Sequence, residues 1–202
     1  MVWARNEFFD SRACNKTKVK LGSMYRRGKA GGTPKTTEPT YYDGTIPFLS
    51  ISDMTLQGKY ITKTSNHISE FGLSASAAWI VPPNSLIVSM YASVGLSAIN
   101  RIPLATSQAM YSMVFDGELT VEYVYQFLCY FRTKKLPALL ETGTQSNINA
   151  DDIRNIQVPE IDTQSRLFVN KMSSFEQLAE VEKSALIYLF ELKQYLLLNL
   201  FA

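Results

Sequence analysis

Apolar residues recur along this chain in two rhythms, and the slower one dominates the C-terminal fifth. From Thr163 to Leu200 there is neither Gly nor Pro, and Leu178, Val181, Ala185, Tyr188, Leu192 and Tyr195 follow one another at alternating steps of three and four. Phe168, Met172, Phe175 and Ala179 begin a neighbouring stripe that resumes at Leu186, Leu189 and Leu196. This heptad spacing predicts one long helix with an apolar seam. At a rise of about 1.5 Å per residue it is roughly 55 Å long. A domain of about 160 residues does not cover that length. The seam therefore calls for a partner helix, in this chain or another. A core helix folded back on its own domain is the alternative.

Upstream the pattern is shorter and mixed. Residues 1–16 read as an irregular lead-in, and Lys18 to about Arg27 as a short helix with Val19, Leu21 and Met24 as its apolar contacts. Gly28, Gly31, Gly32 and Pro34 enforce a loop. Thr36 to Thr45 is polar and turn-rich, ending in Asp43-Gly44. Strand-like runs follow at Ile46–Ile51, Ala78–Val81, Leu86–Tyr91 and Ala109–Phe115, bounded by Pro82-Pro83-Asn84 and Asp116-Gly117. Residues 120–134 read as a helix with Val121, Val124, Tyr125, Leu128 and Phe131 on one face. Asn149 with Asp152 three residues on predicts a capped short helix over Ala150–Ile156, ended by Val158-Pro159. The expected fold is α+β: a mixed, mostly-β domain over residues 1–160, then a long helix over 161–202.

Composition narrows the function classes. Of the 202 residues, 46% are hydrophobic and 19% charged, which suits a packed core. The net charge is only +2, so binding to nucleic acid needs a local basic face. Lys16, Lys18, Lys20, Arg26, Arg27, Lys29 and Lys35 supply a candidate, with no acid between the first and the last. A solvated surface run is the plainer reading. Cys14 and Cys129 are far apart and form no CxxC pair, so neither a disulfide framework nor structural zinc is expected. The first residues lack the apolar stretch of a signal peptide, and no apolar run reaches membrane-spanning length. A cytoplasmic location without membrane partners is expected.

Catalytic patterns are missing. His67 is the only histidine, which excludes a multi-histidine metal site. Asp151-Asp152 is explained by helix capping. Gly28 to Thr33 lacks the closing Gly-Lys-Ser/Thr of a phosphate-binding loop. Val81-Pro82-Pro83-Asn84 has neither the polar first residue nor the aromatic last residue of the amino-methyltransferase motif, and a proline turn accounts for it. No metal or cofactor is expected. What remains is a recognition surface, with Tyr41, Tyr42, Tyr60 and Tyr91 in or near loops rich in Thr, Ser, Asn and Lys.

Several blocks, in order, resemble the specificity subunit of type I restriction-modification systems. Val19-Lys20-Leu21-Gly22 with Gly31-Gly32-Thr33-Pro34 resembles the family's opening. Gly44 to Leu49, with Asp53 after it, resembles the next block. Ser93 to Ala98, then Thr106-Ser107-Gln108-Ala109, resembles the central one. Gly143 to Ile148 leading to Ile156-Gln157-Val158-Pro159 resembles the closing block, and Gln164 and Leu189 to Phe201 the ends of the long helix. The resemblance implies a non-catalytic subunit whose recognition domains each read half of a bipartite, gapped DNA site. Long helices packed as an antiparallel coiled coil would set the gap. Methyltransferase and restriction subunits would be its partners and would carry adenine methylation and ATP-dependent cleavage. The family's full subunit has two domains and two helices, so this chain looks like a half-length form.

On that reading the expected DNA contacts are Lys29, Thr33, Lys35, Thr36, Lys63, Tyr91, Ser93, Arg101, Thr144 and Gln145. The expected interface for a homodimer, or for pairing with another half-subunit, is Phe175, Leu178, Val181, Ala185, Tyr188, Leu192 and Tyr195. The competing class is a protein-protein adaptor that dimerises through its C-terminal helix and binds no DNA.

Overall fold

The computed structural model describes residues 1–13, 17–142 and 147–200. Two compact units emerge, one of Val2–Ile161 and one beginning at Asp162. In chain order the first unit holds α1 (Val2–Ala13), β1 (Lys18–Lys20), β2 (Arg27–Ala30), β3 (Tyr42–Leu49), α2 (Ile51–Gln57), β4 (Tyr60–Ile61), β5 (Asn66–Ile68) and α3 (Glu70–Ser74). Then come β6 (Leu86–Ser89), β7 (Ser97–Asn100), β8 (Ala105–Thr106), β9 (Met110–Val114), α4 (Glu118–Lys134), α5 (Leu136–Thr142), α6 (Ala150–Asn155) and β10 (Gln157–Pro159). The second unit is α7 (Thr163–Leu200), a single helix of 38 residues.

A five-stranded sheet in the order β2-β9-β6-β7-β4 is the centre of the first unit. Its strands pair antiparallel except β4, which runs parallel to β7. Every residue of β6, β7 and β9 is buried. A strand covered on both faces gains from apolar residues at successive positions, which is why these runs do not alternate. One core cluster gathers Leu49, Met54, Ile61, Trp79, Val81, Ile87, Leu104, Met110 and Val114. A second, made by Ile46, Phe48, Ile68, Ala78 and Ala105, seats the three-stranded sheet β5-β3-β8. The pair β1–β10 ties the start of the unit to its end.

Several expectations hold. The four-turn helix forms over Glu118–Lys134, and Asn149 caps α6 by accepting from the backbone N–H groups of Asp151 and Asp152 while Asp152 bonds back. The long helix runs from Thr163 to Leu200. Others need correction. Residues 2–13 are helical, not irregular, because Phe9 packs against Tyr123, Phe127 and Tyr130 of α4 at centroid distances of 5.6, 5.3 and 5.3 Å. The helix expected over Lys18–Arg27 is absent: Val19 pairs with Val158, Leu21 starts a single 3-10 turn, and Arg27 and Gly28 already belong to β2. Ala78–Val81 forms no strand beyond one bridge from Val81 to Leu104. The strand expected over Ile46–Ile51 begins at Tyr42 and ends at Leu49, where Ser50 caps α2.

Candidate nucleic-acid interface

Strand register decides which loops meet. Ala30 pairs with Tyr111, Val88 with Tyr111, and Val88 with Ser97. The loop after β2, the loop before β9 and the loop joining β6 to β7 therefore leave the five-stranded sheet at the same end. Lys29 lies exposed on β2, the edge strand there. Gly31 and Gly32 follow in a close approach of backbones. The Gly31 N–H donates to Met110 O (3.1 Å) and the Gly32 N–H to Thr106 O (2.9 Å). A Cβ on Gly31 would stand 2.0 Å from Thr106 O, so no larger residue fits without opening this junction.

This junction carries Thr33, whose hydroxyl donates to the Gln108 carboxamide oxygen. Pro34 is fixed next to it, its carbonyl accepting from the Tyr42 hydroxyl at 2.7 Å. Lys35 and Thr36 continue as exposed residues. Across the sheet end, the Met90 N–H donates to Ala109 O (2.8 Å) and so pins the β6–β7 loop to the same junction. That loop is tight: Ser93 and Gly95 take positive φ values of 58° and 75°, and the Ser89 hydroxyl donates to Ala92 O (2.7 Å). Tyr91 and Ser93 are left facing solvent.

Six of the ten predicted contacts, Lys29, Thr33, Lys35, Thr36, Tyr91 and Ser93, are thus on or beside loops at one sheet end. Lys63 and Arg101 are not with them. They follow β4 and β7, which pair Ile61 with Asn100 at the opposite end. Lys63 is exposed there. The Arg101 guanidinium is held by protein groups: it lies 4.2 Å from the Tyr60 ring centroid, 3.9 Å from both Glu118 and Glu122, and donates to Asn84. Thr144 and Gln145 lie outside the described residues.

Two features went unmarked in sequence. Gln108 stands out only as part of a family block, because its partner Thr33 is remote in the chain. Arg27, one of the basic run, stacks over the Trp79 ring at 4.2 Å, again a tertiary pairing. Tyr60 has a structural role instead. The Tyr60 hydroxyl donates to Glu122 Oε1 at 2.8 Å, and burial together with that carboxylate pushes its pKa up. His67 is an exposed residue of β5, opposite Pro47. Among the described residues no three His, Cys, Asp or Glu side chains gather as metal ligands, and no helix is long and apolar enough to cross a membrane.

On α7 the predicted seam is open to solvent. Phe175, Leu178, Val181, Ala185, Tyr188, Leu192 and Tyr195 are all exposed, Val181 at 65% and Tyr188 at 66%. Leu186, Leu189 and Leu196 of the second stripe are exposed as well.

Comparison with known proteins agrees with this architecture. A family model described as the type I restriction modification DNA specificity domain matches residues 15–194. The HindI type I restriction enzyme specificity subunit of Haemophilus influenzae is 32% identical over 130 residues, covering 63% of this chain and 28% of the relative. The MjaIX specificity subunit of Methanocaldococcus jannaschii is 23% identical over 159 residues, covering 76% of this chain and 36% of the relative. In fold, the HsdS subunit from Thermoanaerobacter tengcongensis is similar with a TM-score of 0.58 at 16% identity, over 85% of this chain and 40% of that one. The chain spans well under half the length of each. With the family model covering both the mixed unit and most of α7, the chain belongs to the type I restriction modification DNA specificity family.

Proposed function

We propose that this chain reads DNA sequence for a type I restriction-modification assembly, recognising one half of a bipartite, gapped site and supplying no catalytic group itself. The observation that carries this reading is the family match across residues 15–194, which includes the whole sheet and most of the long helix. The shared sheet end supports it: Lys29 and Lys35 would hold phosphates, and Thr33, Thr36, Tyr91 and Ser93 would contact sugar or base edges. Lys63, Thr144 and Gln145 remain further contacts on this reading, and Arg101 a weaker one because carboxylates already share its charge. The seam from Phe175 to Tyr195 would pair with a second copy or with another half-subunit, as an antiparallel coiled coil. A two-fold pair would read an inverted repeat, and an unlike pair an asymmetric site. Methyltransferase and restriction subunits would dock on the pair and carry the chemistry, in the cytoplasm.

Gel shift with duplex DNA, and light scattering of the chain alone and with its methyltransferase subunit, test the reading. Duplex binding that weakens steeply with salt, together with a pair that recruits methyltransferase, is the expected result. A chain that binds no duplex yet still associates through α7 would leave the adaptor reading in its place.

A further inference from the structure

Gln108 is exposed on the loop before β9, and its carboxamide oxygen accepts from the Thr33 hydroxyl. Both of their loops are fixed from beneath. Gly31 and Gly32 bond to Met110 O and Thr106 O, the Met110 N–H donates to Ser107 O (3.1 Å), and the Ala109 N–H donates to the Ser107 hydroxyl (3.3 Å). Gln108 is therefore a preorganised group, not a loose surface side chain. Among the described residues its Nε2 has no hydrogen-bond partner, and neither Lys29 nor Lys35 has a carboxylate within salt-bridge range.

The chemistry of this set is one-sided. Reading an adenine edge takes the oxygen and the nitrogen of a glutamine together, one accepting and one donating. Here the oxygen is turned toward the Thr33 hydroxyl, which takes one of its two lone pairs and fixes the plane of the amide. Among the described residues, the groups left without a partner are the Gln108 amide N–H pair and the ammonium groups of the exposed Lys29 and Lys35, and these only donate. A donor-only cluster matches a partner that only accepts. The nonbridging oxygens of a phosphodiester are such a partner, and they are the same at every base pair.

We propose that Gln108, oriented by Thr33, forms with Lys29 and Lys35 of the same sheet end a DNA-backbone anchor that binds phosphate irrespective of the target sequence. This rests on the DNA-recognition reading above and adds a division of labour to it. Lys29, Lys35 and Gln108 grip the backbone, which leaves sequence reading to the other groups of these loops and to groups beyond them.

Fluorescence anisotropy on the full chain tests it, with labelled duplexes of two unrelated sequences titrated over a series of salt concentrations. Gln108→Glu replaces the donor by an anionic acceptor and should weaken binding to both duplexes about equally, by about tenfold. Gln108→Lys keeps a donor and adds a charge. It should retain binding and steepen the dependence of log affinity on log salt by about 0.9. Thermal melting of each variant by circular dichroism should stay at the parent value. A loss confined to one duplex would make Gln108 a base reader and overturn the anchor. So would unchanged binding by Gln108→Glu, or an equal loss in Gln108→Lys, which marks a structural role. A parent chain that binds neither duplex overturns the recognition reading and the anchor with it.

Discussion

At the scale of single residues, Asp53 shows how a polar side chain organises the loops behind the sheet. It is buried, and its carboxylate accepts from the Ser50 N–H (3.0 Å), the Ser50 hydroxyl (2.6 Å), the Ser65 N–H (3.1 Å) and the Ser65 hydroxyl (2.6 Å). Burial alone would raise its pKa, but the four donors outweigh burial and hold the carboxyl below its ordinary value of 3.8. The ionised form is thus preferred in the folded chain. Its stabilisation is complete above the ordinary value and fades as the pH falls below it toward the folded value. Asp53→Asn should lower unfolding stability at neutral pH by about 1–3 kcal/mol in a urea titration, and the gap to the parent should narrow in acid. A gap that stayed constant down to the acid transition would mean that the charge is not what Ser50 and Ser65 hold.

At the scale of elements, α4 is joined to the sheet by a polar contact. Glu122 and Lys59 meet at 2.6 Å with side chains only 7% and 11% exposed, and Tyr60 and Arg101 complete the cluster. Removing one partner of such a pair leaves the other charge buried. Glu122→Gln should cost about 3–5 kcal/mol by thermal or chemical unfolding, and Lys59→Met with Glu122→Leu should recover much of it. If the single and double variants melted alike, the cluster would be incidental to α4 docking. Legibility in sequence follows the same division between local and remote causes. Helices α4, α6 and α7 were readable because their periods and caps are local. Helix α1 was not, since its seat is made by Phe9 among three aromatic rings of α4 and by Arg5 bonding to Gln126 at 2.8 Å. The three apolar residues Val19, Leu21 and Met24 fit a helix spacing, and the remote strand β10 overrode it. At the candidate interface the basic run stands out in the sequence, whereas the pairing of Thr33 with Gln108 and the separation of Arg101 from Lys29 depend on strand register.

At the scale of the whole molecule, the exposed seam of α7 is the prediction to press. Leu192→Glu puts a charge among the exposed apolar residues. On the proposed pairing, light scattering should show the parent's paired mass fall to that of one chain, with the sheet unit's melting transition retained. A variant that kept the parent mass would remove Leu192 from the interface.

Every residue from 177 to 199 of α7 is exposed. A helix of this sort is marginal in water when alone and is held by packing against something else. If α7 pairs with a second copy as proposed, its order is a question of mass action. Dilution should lower the helical circular dichroism signal and leave the signal of the sheet unit in place, and the melting temperature of the tail should rise with protein concentration. On that pairing, dosage in a cell would be linked to survival: a scarce chain would carry a frayed helix that proteases can enter, and an abundant one would protect itself.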